Sequence, residues 1–206
     1  MVKSDREYRS FDGLKNDDAK TVEGYASTFD TYDLYEIEGT ICRERIVPTA
    51  FDKADMEDVV FLKDHTGTVF ARTRNGAIQL SIDEKGLFQV TDLSRTKAAE
   101  EMYEEIKAGN YDRMSFAFQV AKDHFERSEE NGKTVLTRVI DEIRKVFDIS
   151  AVGFPANPNT SIATRSAFDG EIERLEAERL QVEAEKREEA RKRLALKLKL
   201  EVINHD

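Results

Sequence analysis

The chain has 206 residues, of which 39% are hydrophobic and 36% charged, with a formal net charge of -10. That length accommodates one domain with a true core plus an appendage, and the acidic balance argues against broad nucleic-acid binding, which meets phosphates with basic patches. No apolar stretch approaches the roughly 20 residues that span a bilayer, and the start, Met1-Val2-Lys3-Ser4-Asp5-Arg6-Glu7, lacks an apolar signal segment, so a cytoplasmic protein without membrane contact is expected. The single cysteine, Cys42, has no partner for an internal disulfide and reads as an ordinary strand residue. No His and Cys cluster has metal-ligand spacing, so neither a metal nor another cofactor is expected.

Val22 to Phe29 alternates like a half-buried strand, and Asp30-Thr31-Tyr32-Asp33 is predicted to turn the chain. Glu44 to Phe51 predicts a strand, a proline-marked turn at Pro48 and a short helix through Asp55. Val59-Val60-Phe61-Leu62 is an apolar run of strand length, which places His65 just past its end, where functional groups commonly sit. Strands are predicted at Val69 to Thr73, Ala77 to Ile82 and Leu87 to Thr91, separated by Asn75-Gly76 and Asp83-Glu84-Lys85-Gly86. Ala98, Ala99, Met102, Tyr103 and Ile106 then follow helical spacing within Thr96 to Ala108, with Gly109-Asn110 as a stop. A long hairpin is expected next: a strand from Met114 to Arg127, a turn over Ser128 to Gly132, and a return strand from Lys133 to Val139. The pair Asp141-Glu142 reads as a solvated turn before a last core strand, Ile143 to Val152, closed by Gly153-Phe154-Pro155-Ala156-Asn157-Pro158.

Composition shifts near Phe168. From Asp169 to Leu200 there is no proline, and Glu, Arg, Lys, Ala and Leu dominate, which predicts a long helix. Acids crowd its first half and bases its second, as the helix dipole favours, and Glu183/Arg187, Glu188/Lys192 and Glu189/Arg193 form i,i+4 pairs. Ile172, Leu175 and Val182 fit heptad positions, but Arg179 interrupts them, so a solvated helix and a coiled-coil or docking helix are both open. Leu194, Leu196, Leu198 and Leu200 alternate with polar or small residues, which leaves a terminal strand as an alternative.

The chemistry centres on Ser115 and His65. Ser115 lies in Arg113-Met114-Ser115-Phe116-Ala117-Phe118, where Met114, Phe116, Phe118 and Val120 share one face and Ser115, Ala117 and Gln119 the other. The small Ala117 leaves room for a substrate backbone. A serine attacks a carbonyl usefully when an imidazole accepts its proton, so these two residues are the minimum for acyl transfer. The alternatives are a hydrogen-bonding strand serine and a surface-loop histidine. His124, nine residues from Ser115, would lie about 30 Å away along one strand and on the opposite face, and His205 is close to the terminus. Asp148, a carboxylate amid Val146-Phe147 and Ile149, is costly there unless paired and is expected to orient His65; its alternative is an edge position facing water. Asp64 and Asp141-Glu142 are weaker candidates.

Together, Glu23-Gly24-Tyr25-Ala26, the run Glu44 to Phe51, His65 with a following glycine, Gly86-Leu87, Met114 to Phe118 and the run Asp148 to Pro158 resemble the prohead (procapsid maturation) protease family of tailed bacteriophages. The resemblance covers Arg6 to Arg165. It implies an α+β, mainly β fold: an assemblin-like β-barrel, related to the herpesvirus enzyme, with flanking helices and a long charged C-terminal helix. With the composition shift near Phe168, the expected division is a protease domain, residues 1–168, and a charged helical tail, residues 169–206. The resemblance further implies a serine endopeptidase that cuts the scaffolding segment of the major capsid protein, inside the immature capsid in the host cytoplasm. Ser115 and His65 take the catalytic positions and Asp148 an acidic third place, which in assemblin-type enzymes is a second histidine. Thr49 and Ala117 stand where the family often has glycine, and the second change narrows the site. The link from Ala163 to Gly170 is a candidate for self-cleavage, and a homo-oligomer is compatible with the tail. The competing expectation is a catalytically inactive capsid-assembly or scaffolding protein with a coiled-coil tail.

Overall fold

The computed structural model describes residues 6–12, 14–17, 19–153 and 162–203, in two compact units, Met1–Arg165 and Ser166–Asp206. The motif residues Phe154 to Pro158, and His205, lie outside the described residues. In chain order the elements are β1 (Glu7–Asp12), β2 (Lys15–Asn16), β3 (Thr21–Thr28), β4 (Tyr32–Ile37), β5 (Thr40–Ile46), a 3-10 turn (Pro48–Phe51), β6 (Val60–Lys63), β7 (Thr66–Arg72), a second 3-10 turn (Thr73–Asn75), β8 (Ile78–Ile82), β9 (Gly86–Asp92), α1 (Lys97–Lys107), β10 (Arg113–Glu130), β11 (Lys133–Val152) and α2 (Ile162–Ile203). The architecture is α+β and mainly β.

One sheet runs β1-β10-β11-β5-β4, with β6 added to the far end of β11 and β7 to β6; the other runs β2-β3-β9-β8. Among the described residues neither sheet closes on itself, which departs from the barrel that the resemblance implies. Alternating side chains explain the packing. Met114, Phe116 and Phe118 of β10 point into a core shared with Val22 of β3, Leu87 of β9 and Met102 of α1. The rings of Phe116 and Phe118 stack 4.4 Å apart. Thr96 caps α1 by accepting a hydrogen bond from the Ala99 N–H. Gly86 allows β9 to approach β3, since a Cβ there would lie 2.0 Å from the Ser27 carbonyl oxygen.

Three expectations are revised. Asp141-Glu142 is no turn: β11 runs unbroken for 20 residues, and β10 and β11 are joined by the two left-handed residues Asn131 (φ 52°) and Gly132 (φ 76°). Irregular register between Ala117 and Asp123 lets so long a hairpin bend. Tyr32-Asp33 begins β4 rather than completing a turn, and β1 was not anticipated at all. The leucines near the chain's end continue α2, whose backbone is helical to Ile203, so the strand alternative is set aside. Described by itself, α2 carries Glu183–Arg187 and Glu188–Lys192 ion pairs, each at 2.6 Å, while Leu180 and Leu194 are exposed.

The reason β1 is held emerges from its alternate residues Glu7 and Arg9, which face away from solvent. Arg9 grips the Glu44 carboxylate of β5 with two 2.5 Å hydrogen bonds and donates to Glu7 at 2.8 Å. Arg138 of β11 donates to Glu7 at 2.6 Å and to Asp123 of β10 at 2.5 Å, and the Tyr32 hydroxyl donates to Glu44 at 2.6 Å. Burial alone would raise the Glu7 carboxyl, but the charges of Arg9 and Arg138 outweigh it and hold Glu7 below the usual carboxylate range.

Candidate active site

Strand registry assembles the polar residues. β10 and β11 pair so that Ser115 faces Ser150 and Ala117 faces Asp148; β1 on the other side sets Ser10 beside Ser115 and Tyr8 beside Ala117. Paired residues project to the same face, so Ser115, Ser150 and Asp148 share the surface opposite the phenylalanine core. β6 runs parallel to β11, with Val60 beside Asp148 and Leu62 beside Ser150. Its hairpin to β7 closes between Lys63 and Thr66, which leaves Asp64-His65 as a two-residue turn.

Both turn residues are left-handed, with φ of 48° and 58°. Such a turn suits the twist of a hairpin but favours Asn-Gly. Asp and His tolerate this region better than most residues, at a cost of about 1–3 kcal/mol where the backbone is strained. The strain has a visible return, because it brings the His65 ring against β10 and β11.

The ring is bonded at both nitrogens. The Ser115 hydroxyl donates to His65 Nε2 over 2.6 Å, and His65 Nδ1–H donates to Asp148 Oδ1, also over 2.6 Å. Ser150 Oγ donates to the same Oδ1 at 2.9 Å and lies 3.3 Å from Nδ1. The Tyr8 ring packs edge-on against the imidazole, with centroids 4.5 Å apart. The side chain of His65 is 14% exposed and that of Asp148 4%, while Ser115 has no exposed surface. Two donors on Oδ1 offset the desolvation that a carboxylate suffers in such a place. Ala117 is likewise fully buried, so the room expected beside it is filled.

Ser115, His65 and Asp148 thus meet, although 50 and 83 residues separate the bonded pairs. His124 is on β10 as anticipated, but it pairs with Asp141 at 2.8 Å, far from this cluster along the strand. Asp64 shapes the turn, accepting from the Gly153 N–H at 3.4 Å. Cys42 is buried in β5, and burial pushes its thiol up to about 11, which leaves it a poor nucleophile. Among the described residues, no three His, Cys, Asp or Glu side chains are grouped to hold a metal ion, and no helix is long and apolar enough to cross a membrane. Sequence reasoning missed Ser150 and Tyr8. Ser150 had a signal: it sits two residues from Asp148 in a strand, and therefore on the same face.

A hydroxyl, an imidazole and a carboxylate bonded in series on a rigid β scaffold form the geometry of serine peptidase centres. The chain belongs to the caudovirus prohead serine protease family, whose family model matches residues 5–173. Searches of curated proteins and of solved structures gave no match.

Proposed function

We propose that the chain is a serine endopeptidase acting during phage head maturation, with Ser115 as nucleophile, His65 as proton carrier and Asp148 as the group that fixes the imidazole. The observation that carries this is the continuous path Ser115 Oγ, His65 Nε2, His65 Nδ1, Asp148 Oδ1, with 2.6 Å at each contact between residues. In the first half-reaction the Ser115 oxygen bonds to the scissile carbonyl carbon as its proton passes to Nε2. The imidazolium so formed is stabilised by Asp148, and Nε2 then protonates the departing amine as the peptide bond breaks. Water repeats the sequence on the acyl-enzyme and restores the serine. Membership of a prohead protease family supports a place of action in the immature shell, and the substrate in this reading is the major capsid protein with its scaffolding segment, met inside that shell in the host cytoplasm. Kinship with the assemblin fold, self-cleavage near Ala163 to Gly170, and a separation into protease domain and tail belong to the same reading, although the cleavage segment lies within α2 rather than in the open link expected from the sequence.

Co-expression with the major capsid protein tests it. Cleavage that disappears in Ser115→Ala supports the reading, whereas cleavage that persists in that variant removes it. The complete burial of Ser115 favours a second reading, a silent assembly protein. Mass spectrometry after treatment with a fluorophosphonate separates the two, since an adduct on Ser115 requires an activated and reachable hydroxyl.

A further inference from the structure

Two serines, not one, lie beside His65. They face each other across β10 and β11, yet they meet different edges of the ring: Ser115 reaches Nε2 at 2.6 Å, while Ser150 lies 3.3 Å from Nδ1 and donates to Asp148 Oδ1 at 2.9 Å. With Asp148 accepting from Nδ1–H, that nitrogen has no lone pair to take a proton from Ser150. The ring can therefore activate only Ser115. Ser150 has no exposed surface, and its hydroxyl hydrogen is directed at the oxygen that also receives the imidazole proton.

We propose that Ser150 is a positioning residue of this centre, a fourth member that acts through Asp148; this rests on the peptidase reading above. A carboxylate on a strand has a side-chain rotation that the backbone does not fix. Ser150, two residues on and on the same face, anchors Oδ1 at the point where Nδ1–H must find it. The second donor also meets Oδ1 beside the imidazole, so this oxygen is held by two hydrogen bonds rather than one. Replacing the hydroxyl leaves the acid and the base in place but frees the acid to turn.

The experiment uses the full chain, with Ser150→Ala and the hydroxyl-retaining Ser150→Thr. Fluorophosphonate labelling of Ser115 is followed against probe concentration, and the His65 Nδ1–H proton is followed by NMR in each form. Loss of one hydrogen bond to a charged group predicts a fall of about tenfold in the maximal labelling rate, with probe affinity unchanged, and recovery in Ser150→Thr. The Nδ1–H resonance is expected to move in Ser150→Ala and to return in Ser150→Thr. Where the wild type is labelled, an undiminished maximal rate in Ser150→Ala overturns the proposal and leaves the peptidase reading intact. Should the wild type resist labelling altogether, the peptidase reading fails, and the resonance decides for Ser150: a shift supports its hold on Asp148, and an unmoved signal overturns it. Circular dichroism and thermal unfolding of both variants exclude loss of fold as the cause.

Discussion

Two buried polar clusters lie on the opposite faces of one sheet, and they are built on different terms. On the core side, Glu7, Arg9, Glu44 and Arg138 form a lattice of full charges in which every carboxylate meets a guanidinium; Arg9 and Glu44 are 3% and 0% exposed. On the other side, His65, Ser115, Asp148 and Ser150 contain one carboxylate and no permanent cation. The first cluster is saturated and has nothing to gain by moving a proton. The second sets an imidazole between a hydroxyl and a carboxylate, so on the proposed mechanism proton transfer along it creates the charge pair that the lattice already has. Burial of polar groups therefore serves fixation in one place and, on the proposed mechanism, reactivity in the other, and the difference lies in whether the charges are complete at rest.

The sharpest way to break this comparison is to change the charge of the reactive cluster without changing its size. Asp148→Asn is expected to present an amide N–H to Nδ1, impose the wrong tautomer on His65 and lower catalysis on the order of 10⁴-fold, as an equivalent change does in other serine proteases. Thermal unfolding should move little. A variant that keeps most of its capsid-protein cleavage would show that Asp148 does not hold the base.

The mirror experiment is Arg138→Ala. It strips the buried Glu7 and Glu44 of one cation each, leaving Arg9 as their partner, and unpairs the partly exposed Asp123, so a loss of about 3 kcal/mol of stability is expected. Denaturant titration measures it, and any surviving folded fraction should still label at Ser115. If stability fell by less than 1 kcal/mol, the lattice would be ornamental to β1.

These contrasts also explain what could be read from the sequence. Asp148 was legible because a carboxylate between Phe147 and Ile149 violates the local pattern, and His65 because an apolar strand stops just before it. Glu7 and Arg9 violate nothing locally; they look like the solvated face of an edge segment. Their partners are 131 and 35 residues away, and complementarity over that distance leaves no mark in a window of neighbours. The unbroken β11 was hidden for a related reason, because Asp141-Glu142 imitates a turn until Glu142 is known to pair with Lys122 and the His124 side chain to bond Asp141. Ser150 resembles any strand serine, and only register shows which hydroxyl sits beside the acid.

The lattice also ties stability to pH on the acid side. Glu7 is held below the usual carboxylate range, against its burial, by Arg9 and Arg138, so its folded form releases a proton more readily than its unfolded form. The contribution to stability is complete above the unfolded value and disappears as pH falls through the folded one. Unfolding midpoints from neutral to strongly acid pH should drop more steeply in the wild type than in Glu7→Gln, which begins lower and changes less. Parallel curves would mean that Glu7 does not titrate with the fold.

The smallest effect belongs to the remaining histidine on this sheet, and it runs in the opposite sense. His124 is raised above its ordinary value by its hydrogen bond to Asp141, helped by Glu126 at 3.6 Å, and it is exposed. The folded state therefore holds the proton more tightly than the unfolded chain does, so the stabilisation is fully present below the unfolded value and is lost as pH rises through the folded one. His124→Gln should melt slightly below the wild type in mild acid and together with it in alkali. Screening by solvent keeps the difference small, and added salt should shrink it further. Because this pair lies well along the hairpin from Ser115, labelling of the serine should be the same in both proteins at every pH. A gap in melting temperature that persists in alkali would instead show that His124 acts by packing, and the contrast between charges complete at rest and charges made on demand would then rest on the two buried clusters alone.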